Sequence, residues 1–218
     1  MKNWFRWQKT PLHSVSVPKV LRRTYSTGTP ITCACKSNLV NLKLENMKEK
    51  LTQQQVYDLA LEAFGVVPGI VKEAAERSVE LAYLYANGIR IMENASFNAI
   101  EMNAIELKIS ALNHCESCIK GHSYLLKREG LSEEDIQAII GGTNTGKERL
   151  NILLQATDYV FHAGGSEYPD YVLDFIGNNL SEKELADIIG LISIKTISNY
   201  LNNYLHSVKK RNQYQNSI

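Results

Sequence analysis

Residues 98–130 read NAIEMNAIELKISALNHCESCIKGHSYLLKREG. Asn98 with Glu101 three residues on is the reciprocal pair of a helix N-terminal capping box. Met102, Ile105, Ile109 and Leu112 then recur at spacings of three and four, the apolar stripe of a helix and not the alternation of a strand. Asn113 is placed to cap a second helix, expected from about residue 114 to 129 and stopped at Gly130. On that helix Cys115, Cys118 and His122 stand three, four and seven positions apart, so all three share one face.

The same pattern continues outward in both directions. Thr52 with Gln55 opens a helix carrying Val56, Leu59, Ala60 and Phe64, closed by Gly65 and Pro68. Residues 70–86 read as one further helix ended by Asn87-Gly88. Beyond the central pair, Ser132 with Asp135 starts a short helix, residues 147–162 and 170–176 supply two more, and Ser181 with Glu184 is another capping box. The last helix, about 182–207, is apolar on most of its circumference (Leu185, Ile188, Ile189, Ile192, Leu191, Ile194, Ile197, Leu201, Leu205), which predicts a central helix or a subunit interface. With no strand-like alternation and no internal repeat, the chain is expected to be all-α, a single domain of seven or eight helices over residues 45–210, with a polar tail at 211–218.

Residues 1–44 show no sustained periodicity and are interrupted by Pro11, Pro18 and Pro30. Lys2, Arg6, Lys9, Lys19, Arg22 and Arg23 fall in the first 25 residues, and the first acidic residue is Glu45. Taking those six charges from the formal +1 leaves the remainder at −5. A mildly acidic body offers no clustered Lys and Arg for phosphates, which argues against nucleic acid as a partner. No stretch reaches the roughly 20 apolar residues of a membrane span. The acid-free, basic, Ser- and Thr-containing leader has the composition of an organellar presequence, and Arg23-Thr24-Tyr25-Ser26 resembles a mitochondrial processing site. The mitochondrial matrix is therefore one expected location; a basic tail on a cytoplasmic protein is the other.

Four cysteines are too few and too unevenly placed for a disulfide scaffold. Cys33 and Cys35 lie in the polar segment ahead of the helices, whereas Cys115 and Cys118 lie one turn apart at the start of one. Unpaired N–H groups there favour a thiolate, as does an imidazole able to take the proton. A thiolate can attack a peroxide or a disulfide, and a second thiol one turn away can resolve the sulfenic acid into a disulfide. His122 is one turn from Cys118 and two from Cys115, which makes Cys118 the expected nucleophile. A dithiol cycle of this kind needs no cofactor and no metal. Two readings compete at this point: a pair of structural cysteines beside a surface histidine, and a zinc site, which would need a fourth ligand from His114, Cys33 or His206.

The run SALNHCESCIKGHSYLLKREGLSEEDI, residues 110–136, with the lead-in FGVVPGIVKEAAERSVELAY, residues 64–83, resembles the alkylhydroperoxidase (AhpD-like, carboxymuconolactone decarboxylase) family over about residues 55–206. The resemblance implies an AhpD-like helical bundle. It also implies Cys118 as the peroxide-attacking cysteine, Cys115 as its disulfide partner and His122 as the group assisting the Cys118 thiolate. Further implications are a hydroperoxide or disulfide substrate, a protein or lipoyl-type thiol reductant, and a homotrimer or a hexamer of trimers. The family commonly has a proton-relay Glu twelve residues before the first cysteine, and here that place is Asn103, which cannot exchange a proton at neutral pH. Glu106, one turn along, is positioned to substitute, although a helical Glu more often faces solvent. Ser117 stands where some members carry a further relay His.

Three functions follow. The leading one is a thiol-dependent antioxidant enzyme, a thiol peroxidase or disulfide oxidoreductase. A lactone decarboxylase, invited by the family name, is disfavoured because that branch dispenses with the cysteine pair. A non-catalytic redox sensor or assembly module would use the same disulfide as a switch, and Asn103 leans toward it. The glycine-rich 141–147 half matches a phosphate loop but has Glu148 where a hydroxyl should hold the metal, and it is expected to be a flexible helix connection.

Overall fold

The computed structural model of the chain describes residues 50–215. The basic leader with its presequence reading, and Cys33 and Cys35, lie outside the described residues. Among the described residues the chain forms nine helices and no strand. In order these are α1 (Gln53–Phe64), α2 (Gly69–Ala75), α3 (Val79–Met92), α4 (Ala99–Leu112), α5 (Glu116–Arg128), α6 (Glu133–Gly141), α7 (Glu148–Ala163), α8 (Asp170–Asn179) and α9 (Glu182–Gln215).

The capping boxes form as expected. Thr52 and Gln55 cap each other at α1, Asn98 and Glu101 at α4, and Ser181 and Glu184 at α9. Ser132 accepts from Asp135 N at α6. No described helix is long and apolar enough to cross a membrane.

Four expectations are corrected. Residues 70–86 are two helices and not one, because the Ser78 side chain takes the Leu81 N–H and starts α3 afresh. Asn87-Gly88 does not end α3, which runs on to Met92. A Cβ on Gly88 would stand 2.9 Å from Ile194 Cδ1 of α9, so this glycine serves the close approach of two helices rather than a stop. At the other end, α9 continues to Gln215, and the expected polar tail is helical as far as it is described. The loop after α6 is pinned rather than loose, with Thr145 bonded to Asn151 and Gly146 N donating to Asp135.

The helix at the centre is α4, which packs against α5, α6, α7 and α9. Every residue from Ala104 to Ser110 is buried. Two of these are charged, and each finds a partner: Lys108 Nζ lies 2.7 Å from Asp158 of α7, and Glu106 faces α5. Burial of α9 is one-sided, with Ile188, Leu191 and Leu205 inside but Ile189, Tyr200 and Tyr204 exposed. The expectation of a last helix buried on most of its circumference therefore does not hold within one chain. Around α4 and α9 the apolar side chains form three groups. One joins α1–α3 to Ile194, Ile197 and Leu201, one joins α4, α7 and α9, and one joins α4 to α5, α6 and α7. The first cysteine thus starts a helix wedged against the most buried element of the molecule.

Candidate functional site

The turn between α4 and α5 sets the site. Cys115 N donates to Ser110 O at 2.9 Å and His114 N to Ala111 O at 3.0 Å, the paired bonds of a Schellman ending. The left-handed position of that motif is held by His114, with φ 52°. A non-glycine residue there costs about 1 kcal/mol, and the cost persists because the surroundings fix the turn. The reversal makes Cys115 the N-cap of α5.

Asn113 does not cap α5, as the sequence suggested. Its side-chain amide donates instead to Asn199 Oδ1 of α9 at 3.1 Å, and its carbonyl accepts from Asn203 Nδ2 at 2.8 Å. Asn199, fully buried, donates in turn to Ser110 Oγ. Truncating such a residue would strand buried partners at about 1–3 kcal/mol each.

Cys115 and Cys118 are joined as a disulfide with Cα atoms 5.3 Å apart, inside the usual range for the bond. Their environments differ. Cys115 is completely buried, with Ser117 Oγ 3.6 Å from its sulfur. Cys118 Sγ accepts from Asn202 Nδ2 of α9 at 3.3 Å and lines a cavity of about 480 Å³. His122 and Lys195 line the same cavity, whose apolar wall includes Pro68, Ile70, Tyr85 and Leu125.

His122 is buried on the face of α5 that meets α4. Asn103 Nδ2 donates to Ala99 O at 2.9 Å, which turns its Oδ1 toward His122 Nδ1 at 3.0 Å. The imidazole must therefore carry its hydrogen on Nδ1, and Nε2 keeps the basic lone pair. Glu106 Oε2 lies 3.5 Å from the same Nδ1. Burial, with the Lys195 ammonium pushing the same way, holds the His122 pKa well below the ordinary 6.5. The contact to Glu106 is accordingly one between a neutral ring and a carboxyl group, not an ion pair. Burial likewise raises the Glu106 pKa, against an opposing pull from Lys195. The expectation that Glu106 faces solvent is corrected, since it is 7% exposed and stands beside the histidine.

All three site residues named from the sequence, Cys115, Cys118 and His122, come together. Sequence reading missed Lys195, Ser198, Asn199 and Asn202, although their spacing of three, four and seven along an otherwise apolar helix is itself a signal that a polar stripe is buried. Of the zinc candidates, His114 and His206 are exposed, and Cys33 lies outside the described residues. Among the described residues no cluster of three or more His, Cys, Asp or Glu is placed to hold a metal ion.

Residues 80–144, which contain the α4–α5 turn and all three site residues, match the profile of the carboxymuconolactone decarboxylase family. No curated protein sequence matches the chain. Among solved structures, the chain is similar to a protein of unknown function from Agrobacterium tumefaciens, provisionally described as the antioxidant defence protein AhpD. The TM-score is 0.52 at 20% identity, covering 61% of this chain and 90% of that one. It is also similar to the debrominase Bmp8 in its apo form, with a TM-score of 0.55 at 15% identity, covering 73% of this chain and 91% of that one. At these identities the likeness is one of fold.

Proposed function

Because residues 80–144 match the carboxymuconolactone decarboxylase family and the chain has an AhpD-like helical fold, we propose that it is a thiol-dependent antioxidant oxidoreductase that cycles Cys115 and Cys118 between dithiol and disulfide. The observation that carries this reading is the asymmetry of the pair: Cys118 lines a cavity together with His122, while Cys115 is closed off behind it.

In the reduced protein His122 Nε2 takes the Cys118 thiol proton, and the thiolate attacks the distal oxygen of a hydroperoxide. The O–O bond breaks, Cys118 becomes a sulfenic acid, and the alkoxide leaves with the proton from His122. The Cys115 thiol then displaces water from the sulfenic sulfur to form the disulfide, and an external protein or lipoyl-type dithiol restores both thiols. Buried Glu106 beside His122 supplies the carboxyl group missing at Asn103, which removes the main reason for preferring a non-catalytic sensor.

The test is anaerobic reduction followed by a hydroperoxide titration with dihydrolipoate present, with mass spectrometry of the peptide spanning residues 115–122. One internal disulfide and continuing peroxide loss are expected. Thiols that stay alkylatable in excess peroxide end the proposal, and stoichiometric oxidation without turnover favours the sensor.

The exposed Ile189, Tyr200 and Tyr204 on α9 support a second element of the reading, assembly as a trimer or a hexamer of trimers. Apolar side chains aligned on one face are what a subunit interface covers. Light scattering at micromolar concentration should give a multiple of the chain mass, and a monomer there sinks the assembly.

A further inference from the structure

Lys195 opens the buried polar stripe of α9, is 5% exposed, and lines the cavity shared by Cys118 and His122. Among the described residues its ammonium has neither a hydrogen bond nor an ion pair within 4 Å. The ammonium stands over the cavity as a fixed positive charge, within electrostatic reach of Glu106 and His122, both of whose pKa values it pushes down; an anion formed at the cavity wall is favoured by it. The titratable residues that face the cavity are Tyr85 from α3, Cys118, His122 and Tyr124 from α5, and Lys195 from α9, with Glu106 of α4 behind His122. Of these, His122 is kept neutral by burial and serves as the base, so it is not the standing positive charge.

We propose that Lys195 supplies the fixed charge against which the Cys118 thiolate forms once the disulfide is reduced. The proposal rests on the dithiol reading of the site. When His122 withdraws the thiol proton, the charge left on Cys118 Sγ meets the Lys195 ammonium across the cavity and the Asn202 amide at 3.3 Å. Lys195 is a positioning residue in this sense: it touches neither substrate nor the bond that breaks, and acts by favouring the ionised sulfur. The same preference stabilises the reduced pair over the disulfide and makes the disulfide more oxidising.

The experiment measures alkylation of Cys118 by iodoacetamide in the fully reduced full-length chain from pH 5 to 10, with the site resolved by mass spectrometry, for the native chain, Lys195→Met, Lys195→Gln and Lys195→Arg. The two neutral variants should alkylate about tenfold or more slowly at pH 7, with the profile moved to higher pH. All four chains should converge at pH 10, where the thiol is ionised regardless, and Lys195→Arg should restore most of the neutral-pH rate. Convergence at pH 10 reports that the site is intact, so a folding defect is visible as its failure, and Lys195→Arg then carries the comparison. Neutral variants with the native profile, or an Arg variant no faster than Met, overturn the proposal. Because the readout is thiol ionisation and not peroxide loss, a chain that never turns over peroxide leaves this inference standing, and an active chain with an unmoved profile leaves only the functional reading.

Discussion

Cys118→Ser should reduce hydroperoxide turnover by about three orders of magnitude or more, the loss expected when a nucleophile is removed outright. Three features converge on this sulfur. It lines the cavity, it is one helical turn from His122, and it accepts from Asn202, a contact that strengthens when the sulfur is charged. Cys115 shares the helix N-terminus but has no exposure at all, so no substrate reaches it. Cys115→Ser should therefore retain the first step and stall at a sulfenic acid trappable on Cys118, consuming one peroxide per chain. If Cys118→Ser instead leaves a sulfenic acid on Cys115 at undiminished rate, the roles are reversed and the helix terminus outweighs the histidine.

The second large effect is expected at His122, where His122→Gln should lower turnover by about 10² to 10⁴, the usual contribution of a positioned base. The same variant has an opposite effect on stability in acid. Burial holds the folded His122 pKa well below 6.5, so between that depressed value and 6.5 the unfolded chain binds a proton that the folded chain refuses. Stability then rises with pH across this window and is lost as pH falls through it, at up to about 1.4 kcal/mol per pH unit. Glu106 opposes this, because its raised pKa keeps a proton in the folded chain above 4.5 that the unfolded chain has released. Glu106→Gln should therefore steepen the acid loss, and adding His122→Gln should flatten it. Urea midpoints measured from pH 7 down to 4.5 read both slopes. A Glu106→Gln chain with no pH dependence in that range is incompatible with the buried neutral histidine.

The helices were legible in the sequence wherever local chemistry decided them. Thr52, Asn98, Ser132 and Ser181 cap the helices they were expected to cap, because a side-chain oxygen three residues from an N–H is a local fact. The cysteine–histidine face was legible for the same reason. What was not legible depended on distant contacts. Gly88 reads as a stop until Ile194 is placed against it. Glu106 reads as solvent-facing until His122 is brought to it, and Lys108 beside it is buried against Asp158. That misreading hid α4 as the central helix, since two charged residues mask its buried circumference. Lys195 was missed because a single lysine in an apolar helix has no local partner to betray it.

The asparagines of α9 have a further consequence. Asn199 and Asn203 hold the side chain and the carbonyl of Asn113, and Asn202 holds the sulfur of Cys118. The backbone of the cysteine turn is thereby moored to a helix outside the redox pair, and the two sulfurs already sit one turn apart on it. Breaking the bond between them should release no segment, because the contacts that hold the turn do not pass through it. The reorganisation expected between the two redox states is therefore side-chain rotation about two Cα–Cβ bonds, on a backbone that these asparagines hold in place.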